Sequence, residues 1–481
     1  MTMYQFLDGY FLENKYLVIF KNIFQDVRFW ILILFFLRLT NITLEPLDEH
    51  SWRQSLTITV TENMYYVEAN ILFPRINIGG SNNGIIAGEL PIFNYICYVL
   101  SLVFGYHQWY GRIVNLLISS FGLWFFYQII KRISTNRVAF YSTMFFALSV
   151  SFRFARKTMP DTFSISLVLA GVYFAWIYLE NSKKYNLIFS FILIAFGLLS
   201  KMPAFCVLSF LVVPILDANY KVKDKINLVA ATGISVALML AWYFIWVPHL
   251  LKTYHYQLFW AESIREGYQI FQRLSIEAWQ KIEEVALGHH YIFIVCVIGL
   301  GMTLANNERK ILTILGVWSA IFLVFILKTG PIFPTHTYYS IPFTPMMGLT
   351  TGYAIANIKI PNLFRIFLAF SLLKMSYSEQ IKDFKAPKGN AYLLGLEQIM
   401  DRFSNKNDKI MTNTGNFNPT LMYFAHRKGW AEIWENIKHE DWMPDYKKAG
   451  LVYILIDKHS GNEPLRYSKI YEDENFILYK P

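Results

Sequence analysis

"FWILILFFLRLTNITLEPLDEHSWRQ", residues 29–54, joins a long apolar run to a dense group of ionisable side chains. The run is long enough to cross most of a bilayer as a helix. Comparable runs recur as far as residue 374, a pattern typical of polytopic helical membrane proteins. The stretch therefore predicts an all-α polytopic membrane domain that carries ionisable chemistry at one membrane face.

The composition supports a membrane protein and argues against other classes. Of the 481 residues, 54% are hydrophobic and 16% are charged, whereas soluble domains carry about 25% charged residues. The net charge of +10 comes mostly from short basic tethers between apolar runs. Such residues set membrane topology, so we predict no nucleic acid partner. The first residues lack a cleavable signal pattern, and the three cysteines lie in apolar sequence, without disulfide or metal-site spacing.

We predict about eleven transmembrane helices. They cover approximately residues 29–46, 112–130, 138–154, 162–179, 186–200, 203–219, 227–246, 291–305, 311–327, 340–356 and 362–374. The apolar segment 91–105 is short for a span. If it lies flat at the membrane surface, every strongly basic tether falls on the side of the N-terminus, as the positive-inside rule requires. We therefore expect a juxtamembrane helix at 91–105 within an outer loop of 47–111, and a cytoplasmic N-terminus.

The sequence changes character after the last apolar run. Residues 1–374 form the predicted membrane domain, whereas residues 375–481 are charged and mixed. "DKIMTNTG" (408–415) and "LVYILIDK" (451–458) predict strands, "NPTLMYFAHRKGW" (418–430) predicts a helix, and a hairpin should turn at 473–475. We expect a small soluble α/β domain on the outer face.

Four acids fall on the predicted outer face and are candidate catalytic groups: Asp48, Glu49, Glu89 and Asp161. Each one alone is explained as a solvated loop acid, and Asp161 also as a helix N-cap. Together they indicate a site, because a partly desolvated carboxylate is a stronger base and can take a proton from a hydroxyl. Arg38, inside the first span, should need an acidic partner from the following loop.

Cations on the same face are candidates for binding a phosphate: Lys201, Arg156, Lys157, Arg53 and Lys328. The alternative is that these side chains only snorkel to the lipid headgroups. Outer-face cations run against the positive-inside trend, which favours a partner such as phosphate. Lys201 is the most constrained of them, because it lies in a two-residue break between two predicted spans.

Aromatic residues just before a late span are the remaining candidates. His336, Tyr338 and Tyr339 are predicted to contact the substrate, with an aromatic belt at the membrane surface as the alternative. The neighbouring pair of His289 and His290 lacks the spacing of metal ligands. We expect no cofactor, and the sequence gives no support for a divalent metal.

An ordered series of motifs within residues 30–350 resembles the GT-C fold polytopic glycosyltransferases. The resemblance is to the family 39 type group, which holds bacterial relatives of protein O-mannosyltransferases and the lipid A aminoarabinose transferases. The motifs are "LRLTNITLEPLDEHSW" (37–52), "GELPIFNYICYVLSLVFG" (88–105), "GRIVNLL" (111–117), "ARKTMPDTF" (155–163), "LLSKMPA" (198–204) and "HTYYSIPFTP" (336–345). Each motif alone is weak, but their order, spacing and common side make the set specific.

The resemblance implies an inverting transfer of one sugar from a polyprenyl-phosphate donor to a lipid, glycan or protein acceptor. It implies that Asp48 acts at the acceptor ahead of Glu49, and that cations hold the departing phosphate. The expected location is a bacterial inner membrane, with the site and the C-terminus on the outer side. A transporter or flippase of a lipid-linked or small anionic substrate is the main alternative, and an inactive scaffold is a third. No internal repeat is visible in the sequence, which favours the enzyme over a transporter.

Overall fold

The computed structural model of the chain describes residues 22–80, 82–256, 261–385, 388–415, 417–461 and 463–481. The predictions about the N-terminal residues, that they lack a signal peptide and lie in the cytoplasm, fall outside the described residues. The chain is mostly helical and ends in a small sheet. This confirms the predicted combination of a helical body with a C-terminal α/β part.

The helices follow one another in the order α1 Val27–Arg38, α2 Ser51–Tyr66, α3 Ile92–Phe104, α4 Tyr110–Ile133, α5 Asn136–Leu148, α6 Ser151–Phe154, α7 Pro160–Asn181, α8 Lys184–Ser200, α9 Val212–Leu216, α10 Val222–Ala241, α11 Val247–Tyr254, α12 Ile264–Arg273, α13 Ser275–Gln280, α14 His290–Ala305, α15 Arg309–Thr329, α16 Ile332–Thr335, α17 Thr344–Asn357 and α18 Asn362–Gln380. Tighter 3-10 turns lie at Met202–Leu211, Thr337–Phe343 and Ile381–Phe384, and π turns lie at Trp242–Trp246 and Lys281–Val285.

Four of the described helices are long and apolar enough to cross a membrane: Tyr110–Ile133, Pro160–Asn181, Val222–Tyr254 and Arg309–Thr329. A fifth candidate is the pair Ser275–Val285 and His290–Ala305, which is bent by 90°. A polytopic membrane protein is therefore supported, whereas the predicted number of eleven spans is not established.

Several predicted spans are broken or shortened. The span 29–46 ends as a helix at Arg38, and 138–154 is interrupted at Ser149. The span 203–219 is a 3-10 turn followed by the five-residue helix α9, and 340–356 begins as a 3-10 turn that contains Pro342. Apolar length predicts burial in lipid or protein, but it does not report where proline or a tight turn interrupts the α-helical hydrogen bonds.

Helix α3 packs through one face only. Phe93 and Cys97 are buried in a cluster with Val114 and Phe163, whereas Tyr95 and Leu102 on the opposite face are exposed. The helix ends at Gly105, whose φ of +79° suits glycine. One buried and one exposed apolar face agree with the predicted juxtamembrane position, which stays a prediction.

The C-terminal part begins after α18 with a 3-10 turn at Lys388–Gly395. Its helices are α19 Leu396–Met400, α20 Thr420–Ala425, α21 Trp434–Lys438 and α22 Met443–Lys448, and its strands are β1 Lys409–Thr412, β2 Lys428–Ala431, β3 Leu451–Asp457, β4 Ser468–Glu472 and β5 Phe476–Lys480. The sheet order is β2-β1-β3-β5-β4, with β2, β1 and β3 parallel and β5 antiparallel to both neighbours.

The strand and hairpin predictions agree with the sheet, but one element was wrong. Asp473 accepts backbone N–H bonds from Asn475 (2.8 Å) and Phe476 (2.7 Å), which fixes the hairpin turn at the predicted residues. The predicted helix at 418–430 stops at Ala425, and Lys428–Ala431 is strand β2. His426, in the left-handed region at φ +47°, makes that change of direction.

Helix α2 connects the two parts of the molecule. Leu56 and Met64 share a buried cluster with Leu421 and Phe424 of the C-terminal part. The loop after α2 also pairs with β2, because the backbone N–H of Gly80 donates to the Gly429 carbonyl at 2.8 Å. The C-terminal part therefore lies directly on α2 and on the loop that follows it.

Candidate active site

Most of the predicted site residues meet at one end of the helical body. The gathered residues are Asp48, Glu49, Arg53, Glu89, Lys157, Asp161, Lys201, His336 and Tyr338, and each contacts at least one other member or a shared neighbour. They come from loops and helix ends that are far apart in sequence. The site is built from three sets of contacts, centred on Asp48, Glu49 and Lys201. The charged side chains of these three sets are called the charge cluster.

Asp48 lies in a fully satisfied, buried pocket. Its side chain is 6% exposed and accepts a hydrogen bond from the Gln54 amide. Arg112 Nη2 is 3.3 Å from the carboxylate, and Lys157 Nζ is 3.5 Å away. Burial raises the pKa of Asp48, but Lys157, Arg112 and Gln54 outweigh this effect and hold the pKa below its ordinary value. Asp48 is therefore ionised and oriented by two cations.

Lys157 is completely buried and holds several groups together. Its Nζ lies 2.7 Å from Asp383 Oδ2 and donates to the Glu49 carbonyl at 2.6 Å. Asp383 in turn accepts the backbone N–H of Glu49 at 2.8 Å. No sequence pattern indicates Asp383, because it lies more than 300 residues from the loop that it contacts. The Lys157 ammonium therefore binds groups of the protein itself, and not a phosphate as the sequence predicted.

Glu49 points to the other side of the turn. Its carboxylate is 2.9 Å from Arg153 Nη1 and accepts the Thr337 hydroxyl at 2.6 Å. Burial raises the pKa of Glu49, but the Arg153 charge and the Thr337 hydroxyl outweigh this effect, so the net shift is downward. Burial also lowers the pKa of His50 to about 3. His50 is therefore a neutral imidazole beside an ionised Glu49.

Lys201 is partly exposed and differs from the buried Lys157 because its contacts are long. Its Nζ lies 3.7 Å from Glu89 and 3.9 Å from Asp161, beyond the 2.7–3.2 Å of an N–H···O hydrogen bond. Glu89 is paired more closely with Arg53. Asp161 does not cap α7, whose N-cap is Met159, and its buried Oδ2 has no partner in the described part of the chain. Lys201 and Asp161 therefore have unused hydrogen-bonding capacity.

An aromatic group borders these charges. The His336 ring stacks on His50 at 5.8 Å and meets Trp52 edge-on at 5.6 Å. Tyr338 lies 5.0 Å from His50, and Lys201 Nζ lies 5.9 Å from the centre of the Tyr338 ring. Tyr339 also belongs to this group: its ring lies 4.8 Å from Tyr338 and 5.9 Å from His336, and it stacks on Phe325. Flat rings next to paired charges offer a ligand one apolar surface and several hydrogen-bonding groups.

A cavity opens beside the pair of Arg53 and Glu89. Its walls include Thr57, Leu56 and Ile86. The cavity connects the charged end of α2 with apolar side chains of the loop that follows α2. It gives the charge cluster a neighbouring space with both polar and apolar walls.

Two of the predicted phosphate ligands, Arg156 and Lys328, bind backbone carbonyls, and one predicted ion pair does not form. Arg156 donates to the backbone carbonyls of Arg38 (3.0 Å) and Thr40, and so caps the end of α1. Lys328 donates to the Glu262 carbonyl. The expected acidic partner of Arg38 was wrong: its guanidinium bonds the Leu34 carbonyl at 3.0 Å and lies over the Phe152 ring.

The structure adds two observations on metals and thiols. Across the described ranges, no group of three or more His, Cys, Asp or Glu side chains has an arrangement that could hold a metal ion. His290 instead lies 3.1 Å from Glu283, and His289 stacks on Tyr291. Cys97, Cys206 and Cys296 are free and buried, as expected for small apolar side chains.

Sequence comparison links the chain to one family. Residues 89–246, one third of the chain, match the family described as dolichyl-phosphate-mannose-protein mannosyltransferase. The matched region contains Glu89, Lys157, Asp161 and Lys201. A search of curated protein sequences gives no match.

Three solved structures have the same fold. ArnT from Cupriavidus metallidurans bound to undecaprenyl phosphate is 10% identical, with a TM-score of 0.54 over 94% of this chain and 96% of that one. The apo oligosaccharyltransferase of Archaeoglobus fulgidus is 10% identical, with a TM-score of 0.57 over 89% and 70%. AglB from the same organism, in complex with an inhibitory peptide and a dolichol-phosphate, is 10% identical and gives 0.51 over 89% and 69%. The resemblance to GT-C glycosyltransferases is thereby confirmed.

Proposed function

We propose that this chain, with its GT-C fold, transfers one sugar from a polyprenyl-phosphate donor to an acceptor, with inversion at the anomeric carbon. The observation that carries the proposal is the pairing of Lys201 with Asp161. It places an ammonium and a carboxylate oxygen, both with free hydrogen-bonding capacity, at the end of the body where the charges converge. A leaving phosphate needs the first group, and an acceptor hydroxyl needs the second.

The reaction exchanges one bond for another. The acceptor oxygen forms a bond to the anomeric carbon from the side opposite the phosphate, and the bond from that carbon to the phosphate oxygen breaks. The electron pair leaves with the lipid phosphate, whose growing charge Lys201 stabilises. When the acceptor is a hydroxyl, its proton passes to a carboxylate, for which Asp48 and Asp161 are the candidates.

Two features support the donor and leave the sugar open. The related ArnT was solved with undecaprenyl phosphate, and AglB with a dolichol-phosphate. Both ligands are polyprenyl phosphates, the class that the Lys201 region suits by charge. The acceptor class is open, with lipid, glycan and protein as the alternatives.

The experiment uses the full chain in lipid nanodiscs with a radiolabelled undecaprenyl-phosphate sugar. We expect labelled sugar to move to an acceptor fraction of a bacterial envelope extract, with release of undecaprenyl phosphate. Movement of intact donor between leaflets of a proteoliposome, without release of lipid phosphate, would establish a flippase instead. Parallel reactions with EDTA and with added Mg²⁺ measure metal dependence directly.

We also propose that the charge cluster faces outward, in a bacterial inner membrane. Arg132 binds Glu180 at 2.8 Å, and Ser182 and Tyr178 bind Asp224, so the basic tethers meet at the end of the body opposite the cluster. The positive-inside rule puts that end in the cytoplasm.

Cysteine labelling checks this orientation. His107 lies on the side of the cluster and Asn136 on the side of the basic tethers, and both are exposed. We expect His107→Cys to react with an impermeant maleimide in intact cells, and Asn136→Cys to react only after lysis. The native cysteines are buried and give little background. The reverse pattern would turn the whole site toward the cytoplasm.

A further inference from the structure

The segment Ile381–Phe384, directly after α18, lies against the first outer loop. The Phe384 ring stacks on Phe152 with a centroid distance of 5.5 Å and an angle of 5°. Its carbonyl accepts a hydrogen bond from the Asn41 side chain at 3.1 Å. The segment that leads into the C-terminal part is thus fixed to both the loop and the body.

Asp383, in this segment, holds the turn of the catalytic loop from two sides. Its Oδ1 accepts the Glu49 N–H at 2.8 Å, and its Oδ2 lies 2.7 Å from Lys157 Nζ. The same ammonium donates to the Glu49 carbonyl at 2.6 Å and lies 3.5 Å from Asp48. The backbone N–H and C=O groups of Glu49 are therefore both held by the ion pair of Asp383 with Lys157. The Lys157 ammonium lies between the carboxylates of Asp383 and Asp48.

We propose that Asp383 is a positioning residue, which fixes the turn of Asp48 and Glu49 and keeps Lys157 between two carboxylates. The inference rests on the proposed function, because it gives Asp48 its part in the reaction. Without Asp383, Lys157 has one carboxylate left within reach and moves toward Asp48. The Glu49 N–H group also loses its hydrogen-bond acceptor. The Asp48 carboxylate is then no longer held in line with the hydroxyl that receives the sugar.

The charges around Asp383 decide the expected pH dependence. It is faced by Lys157, by Asp48 and by Arg156, whose guanidinium lies 4.2 Å from the Phe384 ring. Burial raises the pKa of Asp383, Lys157 opposes this, and the Asp48 anion raises it further. Repulsion between the two carboxylates is mutual. Removing the Asp383 charge therefore lowers the pKa of Asp48.

The test compares Asp383→Asn with Glu379→Gln in nanodiscs. Both variants remove one negative charge, but Glu379 is exposed and pairs only with the neighbouring Lys382. We expect Asp383→Asn to lower kcat by about ten-fold to a hundred-fold, the usual effect of losing a charge-assisted hydrogen bond, with little change in the donor KM. The acid limb of the kcat profile should move to lower pH. Glu379→Gln should change neither quantity, and Asp383→Glu should restore part of the activity.

Hydrogen exchange gives a second measurement that does not depend on activity. The Glu49 amide should exchange faster in Asp383→Ala than in the wild-type protein, because it loses its acceptor. Unchanged exchange would overturn the proposal at its structural step. Faster exchange with normal kcat and an unmoved pH profile would overturn the positioning role. A wild-type protein that transfers no sugar would refute the proposed function, while the exchange result still decides whether Asp383 holds the turn.

Discussion

Asp48→Asn is expected to lower turnover by about 10²–10⁴-fold with a hydroxyl acceptor, which is the usual contribution of a general base. The asparagine keeps the size of the side chain and one acceptor oxygen for the Gln54 amide. Lys157 keeps Asp383, and Arg112 keeps the Gln54 oxygen at 3.4 Å, so both cations retain a partner. The fold should survive, and the loss should appear in kcat more than in the donor KM, because the proton moves only in the transition state.

The controls separate three of the acids at the site, Asp48, Glu49 and Asp161. Glu49→Gln should be milder, because the Glu49 carboxylate is already bound by Arg153 and Thr337. Asp161→Asn tests the carboxylate with the unpartnered oxygen. Normal turnover in Asp48→Asn together with an inactive Asp161→Asn would make Asp161 the base and leave Asp48 as an orienting group. A phosphate acceptor needs no base, and none of the three substitutions would then reach the expected loss.

The sequence predicted the parts of the site that are close to a membrane boundary. Asp48, Asp161 and Lys201 each lie within a few residues of an apolar run, so a boundary and a charge are enough to find them. The same signal also selected Arg156 and Lys328, whose charged groups bind backbone carbonyls. A single sequence contains no information that separates a cation bound to a helix end from one that faces a substrate.

Other parts of the fold and of the site depend on long-range contacts that no local sequence pattern indicates. Helix α2 carries Thr57, Thr59 and Thr61 along with apolar residues and is buried on most sides, so it lacks the apolar stripe of a surface helix. Its position between the body and the C-terminal part stabilises it. Asp383 and Arg112 reach Asp48 through the tertiary fold alone. Arg112 was visible in the motif "GRIVNLL", but its side-chain partner was not.

Lys201→Ala should weaken donor capture by about ten-fold to over a hundred-fold, because a charge-assisted bond to phosphate contributes about 1.5–3 kcal/mol. The structure supports a phosphate-binding role for Lys201 more strongly than the sequence did. Lys201 has no hydrogen bond within the described ranges, and its side chain is 14% exposed. Lys157, which is completely buried, already has three oxygen partners within 3.5 Å. An ammonium with free donors is the one that a leaving phosphate can use.

The measurement is the binding of undecaprenyl phosphate to the protein in nanodiscs, with Lys328→Ala as the matched control. Both substitutions remove a lysine predicted to bind phosphate, but Lys328 donates to the Glu262 carbonyl. We expect weaker binding only in Lys201→Ala. Equal binding in all three proteins would mean that Lys201 only reaches toward the headgroups. Equal weakening in both variants would show that net outer charge, and not the Lys201 position, attracts the donor, since loss of either charge would then have the same effect.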